Sequence, residues 1–112
     1  MSFLLLYLGE GRTFDADHIR RLLTELPCEY LREAGGEKTI HCEYALNDDV
    51  TTIRLAPDRE TVIIEGQGEA SLEAAVAIQK HYPEAIHLID EGYAFDINLW
   101  DIKTVHELRR LL

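Results

Sequence analysis

The stretch KTIHCEYALNDDVTTIRLAPDRETVIIEGQGEASLEAAVAIQKHYP, residues 38–83, changes its periodicity once, and that change decides the fold. In its first part Ile40, Cys42, Tyr44 and Leu46 alternate with Thr39, His41, Glu43 and Ala45. A period of two is that of a half-buried strand, because successive side chains point to opposite faces. Asn47-Asp48 reads as a turn, 50–55 as a β-branched strand, and Ala56-Pro57-Asp58-Arg59 as a second turn in which proline presets φ. Residues 61–65 form another strand around Val62, Ile63 and Ile64. Short strands joined by tight turns predict an antiparallel meander. After Gly66-Gln67-Gly68 the spacing becomes helical. Leu72, Ala75, Val76 and Tyr82 share a face with Ile78 at its margin, and Pro83 ends the helix.

The flanks extend the pattern. Residues 3–8 are a continuous apolar run, which suits a strand covered on both faces or a central strand. Asp15 is placed as a helix N-cap, with Phe14 and Ile19 set for a hydrophobic staple. Ile19, Leu22, Leu23 and Leu26 give that helix one apolar face, Arg20 and Arg21 fall off it, and Pro27 stops it. Residues 28–34 suit a short strand and Gly35-Gly36 a turn. Towards the C-terminus, Ile86, Leu88 and Ile89 suggest a strand and Glu91-Gly92 a turn. Tyr93, Phe95, Ile97 and Leu99 then alternate with Ala94, Asp96, Asn98 and Trp100, the most regular strand pattern in the chain. Thr104-Val105-His106-Glu107 fits a capping box, with Val105, Leu108, Leu111 and Leu112 as inward positions. The order is β-α-β-β-β-β-α-β-β-α. It predicts a single α+β domain over 1–112, a mainly antiparallel sheet with helices packed on one face.

Charge bounds the function. The 112 residues carry 21 acids and 11 Lys or Arg, a formal net charge of -10. Such a surface repels nucleic acid and anionic membranes and favours solubility or a basic protein partner. Between Glu60 and Glu107 the acids are Glu60, Glu65, Glu69, Glu73, Glu84, Asp90, Glu91, Asp96, Asp101 and Glu107, against only Lys80 and Lys103. The N-terminus lacks the basic n-region and cleavage site of a signal peptide, and no apolar run is long enough to span a membrane. The expected location is the cytoplasm, where Cys28 and Cys42 would be free thiols.

Four constellations bear on chemistry. Gly66-Gln67-Gly68 opens a helix, as a dinucleotide-binding turn does. However, Ser71 stands where a third glycine is wanted and Glu69 puts negative charge near the phosphate position, so a plain turn is the expectation. His81, His87, Asp90, Glu91 and Asp96 include metal-ligand types, but no short fixed ligand spacing joins them. His41 and Cys42 are strand neighbours pointing to opposite faces, so the imidazole is badly placed to activate the thiol. Asp96 and Asn98 share a strand face with Ala94 and Trp100. Two readings of Trp100 stand: an exposed aromatic among polar groups, as binding surfaces use, or a side chain tucked under the last helix.

These observations point to no catalytic residues, no cofactor and no metal. They nominate Asp90, Glu91, Asp96, Asn98 and Trp100 as an interaction surface. The profile, a small acidic α+β domain without a catalytic motif, is similar to that of many small bacterial proteins and of immunity proteins that neutralise toxins. That likeness is one of class and rests on no motif. It implies a non-enzymatic protein that binds a basic protein partner. The alternatives are a small-molecule-binding domain or small enzyme with a pocket between sheet and helices, and a homodimeric module joined by a sheet face or edge.

Overall fold

A computed structural model describes residues 3–26, 28–34, 39–46, 48–66, 68–92 and 94–112. The elements are β1 (Phe3–Tyr7), α1 (Ala16–Glu25), β2 (Cys28–Ala34), β3 (Thr39–Leu46), β4 (Asp49–Leu55), β5 (Thr61–Glu65), α2 (Glu69–His81), β6 (His87–Asp90), β7 (Asp96–Asn98) and α3 (Val105–Arg109). The order is the one expected, and the class is α+β. The strands form one sheet in the spatial order β2-β3-β4-β5-β1-β6-β7, antiparallel at every pairing.

β1 is central. It lies between β5 and β6, with Leu5 opposite Ile63 on one side and Ile89 on the other. Its apolar run conceals an alternation: Leu4 and Leu6 are buried, while Phe3, Leu5 and Tyr7 are only half-buried. The strand is therefore covered fully on one face. It reads as continuous because the opposite face of the sheet is also apolar at its centre.

The buried face carries Ile40, Cys42 and Tyr44 from β3, Ile53 and Leu55 from β4, Val62 and Ile64 from β5, and Leu88 and Ile97 from β6 and β7. Cys42 is fully buried in this row, as its alternation requires. α1 begins at Asp15, whose Oδ1 accepts from the backbone N–H of Asp17 at 3.0 Å and of His18 at 3.2 Å. Phe14 and Ile19 are both buried, as a staple demands. The helix ends at Glu25; Pro27, like Gly35-Gly36, Lys38, Asn47, Gln67 and Tyr93, lies outside the described residues.

α2 departs from the single-face reading. Ala70, Ser71, Leu72, Ala74, Ala75, Val76, Ala77, Ile78 and Gln79 are all buried, so the helix is enclosed on most sides. Its alanines make this possible, because a backbone cylinder with short side chains fits between the sheet and the flanking α1 and α3. Three buried polar side chains serve its ends. Ser71 Oγ donates to the Glu65 carbonyl at 2.7 Å, and Thr51 Oγ1 donates to the same oxygen. Gln79 Nε2 donates to the Glu84 carbonyl at 2.9 Å, and its Oε1 accepts from the Ile86 N–H at 2.7 Å, which fixes the path from α2 into β6.

The C-terminal region is less regular than its alternation suggests. β7 spans three residues, not eight, because its only partner among the described residues, β6, spans four and the chain turns away after Asn98. Ile97 and Leu99 are buried and Phe95 is partly buried, so three of the four inward positions hold within the described residues. α3 is capped by Thr104, whose hydroxyl accepts from the Glu107 N–H at 3.2 Å. It ends at Arg109, which leaves Leu111 and Leu112 exposed at 55% and 52% instead of packed inward.

Candidate interaction site

Four of the nominated residues, Asp90, Glu91, Asp96 and Asn98, sit on the β6–β7 hairpin at one edge of the sheet. Asp90 Oδ1 accepts from the Ala94 N–H at 2.7 Å and closes the turn, while Glu91 is exposed. The aspartate is thus needed for the local backbone path, a role that short acceptor side chains fill at turns. Asn98 acts likewise at the other end, its Oδ1 accepting from the Trp100 N–H at 2.9 Å.

Asp96 is tied more tightly. The Tyr7 hydroxyl donates to its Oδ2 at 2.7 Å, and His87 Nδ1 lies 3.0 Å from its Oδ1. Sheet register makes this cluster: His87 faces Tyr7 across β1–β6, and Ile89 faces Asp96 across β6–β7. The Tyr7 and His87 rings stack at a tilt, with centroids 5.3 Å apart. Donation from the Tyr7 hydroxyl, helped by the His87 hydrogen bond and charge, holds the Asp96 carboxyl below its ordinary pKa. Sequence reasoning misses Tyr7 because its pairing with Asp96 spans 89 residues. The one signal available is a hydroxyl-bearing side chain within an otherwise apolar run.

Trp100 is 47% exposed, which decides between its two readings. It does not join Asp96 and Asn98 on one face. The strand has ended, and the turn carries the indole round to a hollow of about 120 Å³ with Gln79, Lys80, Tyr82, Ile102 and Lys103. The five nominated residues therefore form an acidic hairpin plus a separate aromatic on the helix side.

The other constellations resolve on geometry. His81 lies on α2, where Nδ1 is 3.4 Å from Glu25 Oε2 and its carbonyl accepts from His18 Nε2 at 2.8 Å. It is part of the α1–α2 contact and remote in role from His87. Among the described residues no three or more His, Cys, Asp or Glu groups converge as a metal would need. At the opening of α2, Gly66 has φ +77°, a left-handed turn suited to glycine. The Ala70 N–H donates at 2.9 Å to Asp49 Oδ2, which lies 3.0 Å from where a Gly68 Cβ would stand. A carboxylate from β4 thus holds the place a phosphate would take, and the turn serves to start the helix.

A cleft of about 530 Å³ lies elsewhere, between the first turn of α1, the β4–β5 turn and the segment after α2. Asp15, Asp17, Arg20, Arg59, Tyr82 and Glu84 bring charge and polarity to it. Arg12 pairs with Glu84 at its rim, Arg20 lies 2.5 Å from Asp17, and the Tyr82 hydroxyl accepts from the Asp15 N–H at 3.0 Å. Burial raises the Tyr82 pKa, so the phenol stays protonated. No helix among the described residues is long and apolar enough to cross a membrane. Comparison with protein-family models, with curated proteins and with solved structures finds no match, so the functional reading rests on the residues themselves.

Proposed function

We propose that this chain is a non-enzymatic interaction protein whose acidic surface takes a basic protein partner, in the manner of a toxin-neutralising inhibitor. One observation carries the reading: the acid excess between Glu60 and Glu107 stays at the surface. Glu60, Glu69, Glu91, Asp96, Asp101 and Glu107 are exposed, and the rest are half-buried. Among them only Glu69 and Glu84 meet an arginine within the described residues, Arg109 and Arg12 respectively. A field of this sign speeds encounter with a cationic surface and makes association salt-sensitive. The test is capture of a partner from extract of the host at low salt, followed by kinetics with both proteins purified. The association rate should fall steeply with added salt, and Glu91→Lys with Asp101→Lys should slow it further. An association rate indifferent to both salt and charge reversal overturns the reading.

A second reading is favoured by the cleft of about 530 Å³ at the start of α1, a volume typical of small-ligand sites. A metabolite held there at a hundred times its Kd would add about 2.7 kcal/mol of stability. A thermal-shift screen checks this, and a flat screen removes it.

A further inference from the structure

The three helices cover one face of the sheet; among the described residues the opposite face has no helix over it, with Leu5 and Ile63 half-buried, and only Ile89, beside the Gly9–Gly11 segment, is buried there. Register aligns six of its residues in a row across the strands. His41 lies opposite Arg54, Arg54 opposite Ile63, Ile63 opposite Leu5, Leu5 opposite Ile89, and Ile89 opposite Asp96. The row is cationic at one end, apolar in the middle and anionic at the other. Leu5 is the midpoint of the five residues from Arg54 to Asp96, with those two each two strands away. Arg54 is exposed and has no ion-pair partner among the described residues. Asp96 is held in position by Tyr7 and His87. Each of its oxygens keeps a lone pair for a further donor.

From this self-complementary row we propose that the open face binds a second copy of the chain, sheet against sheet. A two-fold axis running along β1 between the two sheets exchanges the ends of the row. Arg54 of each copy then faces Asp96 of the other, and the apolar centres around Leu5 and Ile63 meet. The perpendicular in-plane axis would set Arg54 on Arg54 and Asp96 on Asp96, so charge selects one arrangement of the two. Sheets packed face to face lie about 10 Å apart with strands within about 30° of each other, a gap that an arginine and an aspartate bridge together. Two shallow hollows, about 210 Å³ beside Phe3, Arg54 and Ile63 and about 310 Å³ beside Leu5, Tyr7 and Ile89, leave room for the facing side chains to interdigitate. The net charge of -10 on each copy opposes association at long range, but salt screens that term beyond about 8 Å. The Arg54–Asp96 contacts act at touching distance. Self-association is independent of the basic-partner reading, because it needs only purified protein.

Sedimentation of the purified chain at physiological salt tests it. The wild type should run as a dimer, and Arg54→Lys should remain one. Arg54→Glu and Asp96→Lys should each weaken the dimer by roughly tenfold or more, since each places like charges opposite one another twice. Mixed in equal amounts, those two variants should associate with each other. The introduced glutamate of one then meets the introduced lysine of the other, and the native pair forms at the second contact. Arg54 has no ion-pair partner within the described residues of its own chain, so Arg54→Glu reports even where Asp96→Lys does not fold by circular dichroism. A monomeric wild type overturns the proposal, as does an Arg54→Glu chain that still dimerises fully, or a pair of folded variants that stays monomeric on mixing.

Discussion

Two aspartates show how single residues set this structure. Asp49 sits at the start of β4 yet caps α2, accepting from the Ala70 N–H. Gly68 offers no side chain for the purpose. Asp49→Ala should therefore cost about 1 kcal/mol of stability, and Asp49→Asn much less, as read from urea denaturation. Asp96 is the second. Its carboxyl titrates below the ordinary value because Tyr7 donates to the ionised form. A depressed folded-state pKa contributes stability above the unfolded value, near 3.8, and that contribution is lost as pH falls through the folded pKa. Tyr7→Phe should raise the Asp96 midpoint, followed by carboxyl NMR titration, and flatten the acid limb of stability. A midpoint unmoved by the loss of the hydroxyl would rule out this account of the shift.

At the scale of elements, the joint most specified by hydrogen bonding is the passage from α2 to β6. Gln79 spans it with a donor to Glu84 and an acceptor for Ile86, both main-chain groups. Gln79→Ala strands those groups in a buried site and should cost about 1–3 kcal/mol, measured by thermal or chemical unfolding. Element identity was legible in the sequence, because alternation in 39–46 and helical spacing after Gly68 are local signals. Length was legible only where a partner matched it. The alternation of 93–100 promised eight strand residues, but β6 offers four to pair with, and β7 stops at three. Leu111 and Leu112 look inward on a helical wheel, yet α3 has closed before it reaches them. The candidate site was legible in part. Asp96 and Asn98 do share a face, while Trp100 leaves it, and Tyr7 and His87 join it through register that no local pattern encodes.

For the whole molecule, the net charge of -10 is a term in stability as well as in recognition. Self-repulsion within a small acidic globule is relieved by counter-ions, so the melting temperature should rise between low and physiological sodium chloride. A melting temperature independent of salt would show the acids to be balanced locally. The sheet order adds a constraint of another kind. β2 to β5 pair with chain neighbours, and so do β6 and β7, but the two ribbons touch only through β1. β1 leaves the ribosome before any of its partners and is among the last strands that can be used. It must wait unpaired until residues 61–65 have been synthesised, and with one edge open until 87–90 follow. Leu4, Leu5 and Leu6 stay exposed through that interval, and chaperone demand should be set by this one segment. Circular permutation that joins the termini and opens the chain between β1 and α1 would place β1 after both of its partners and remove that wait.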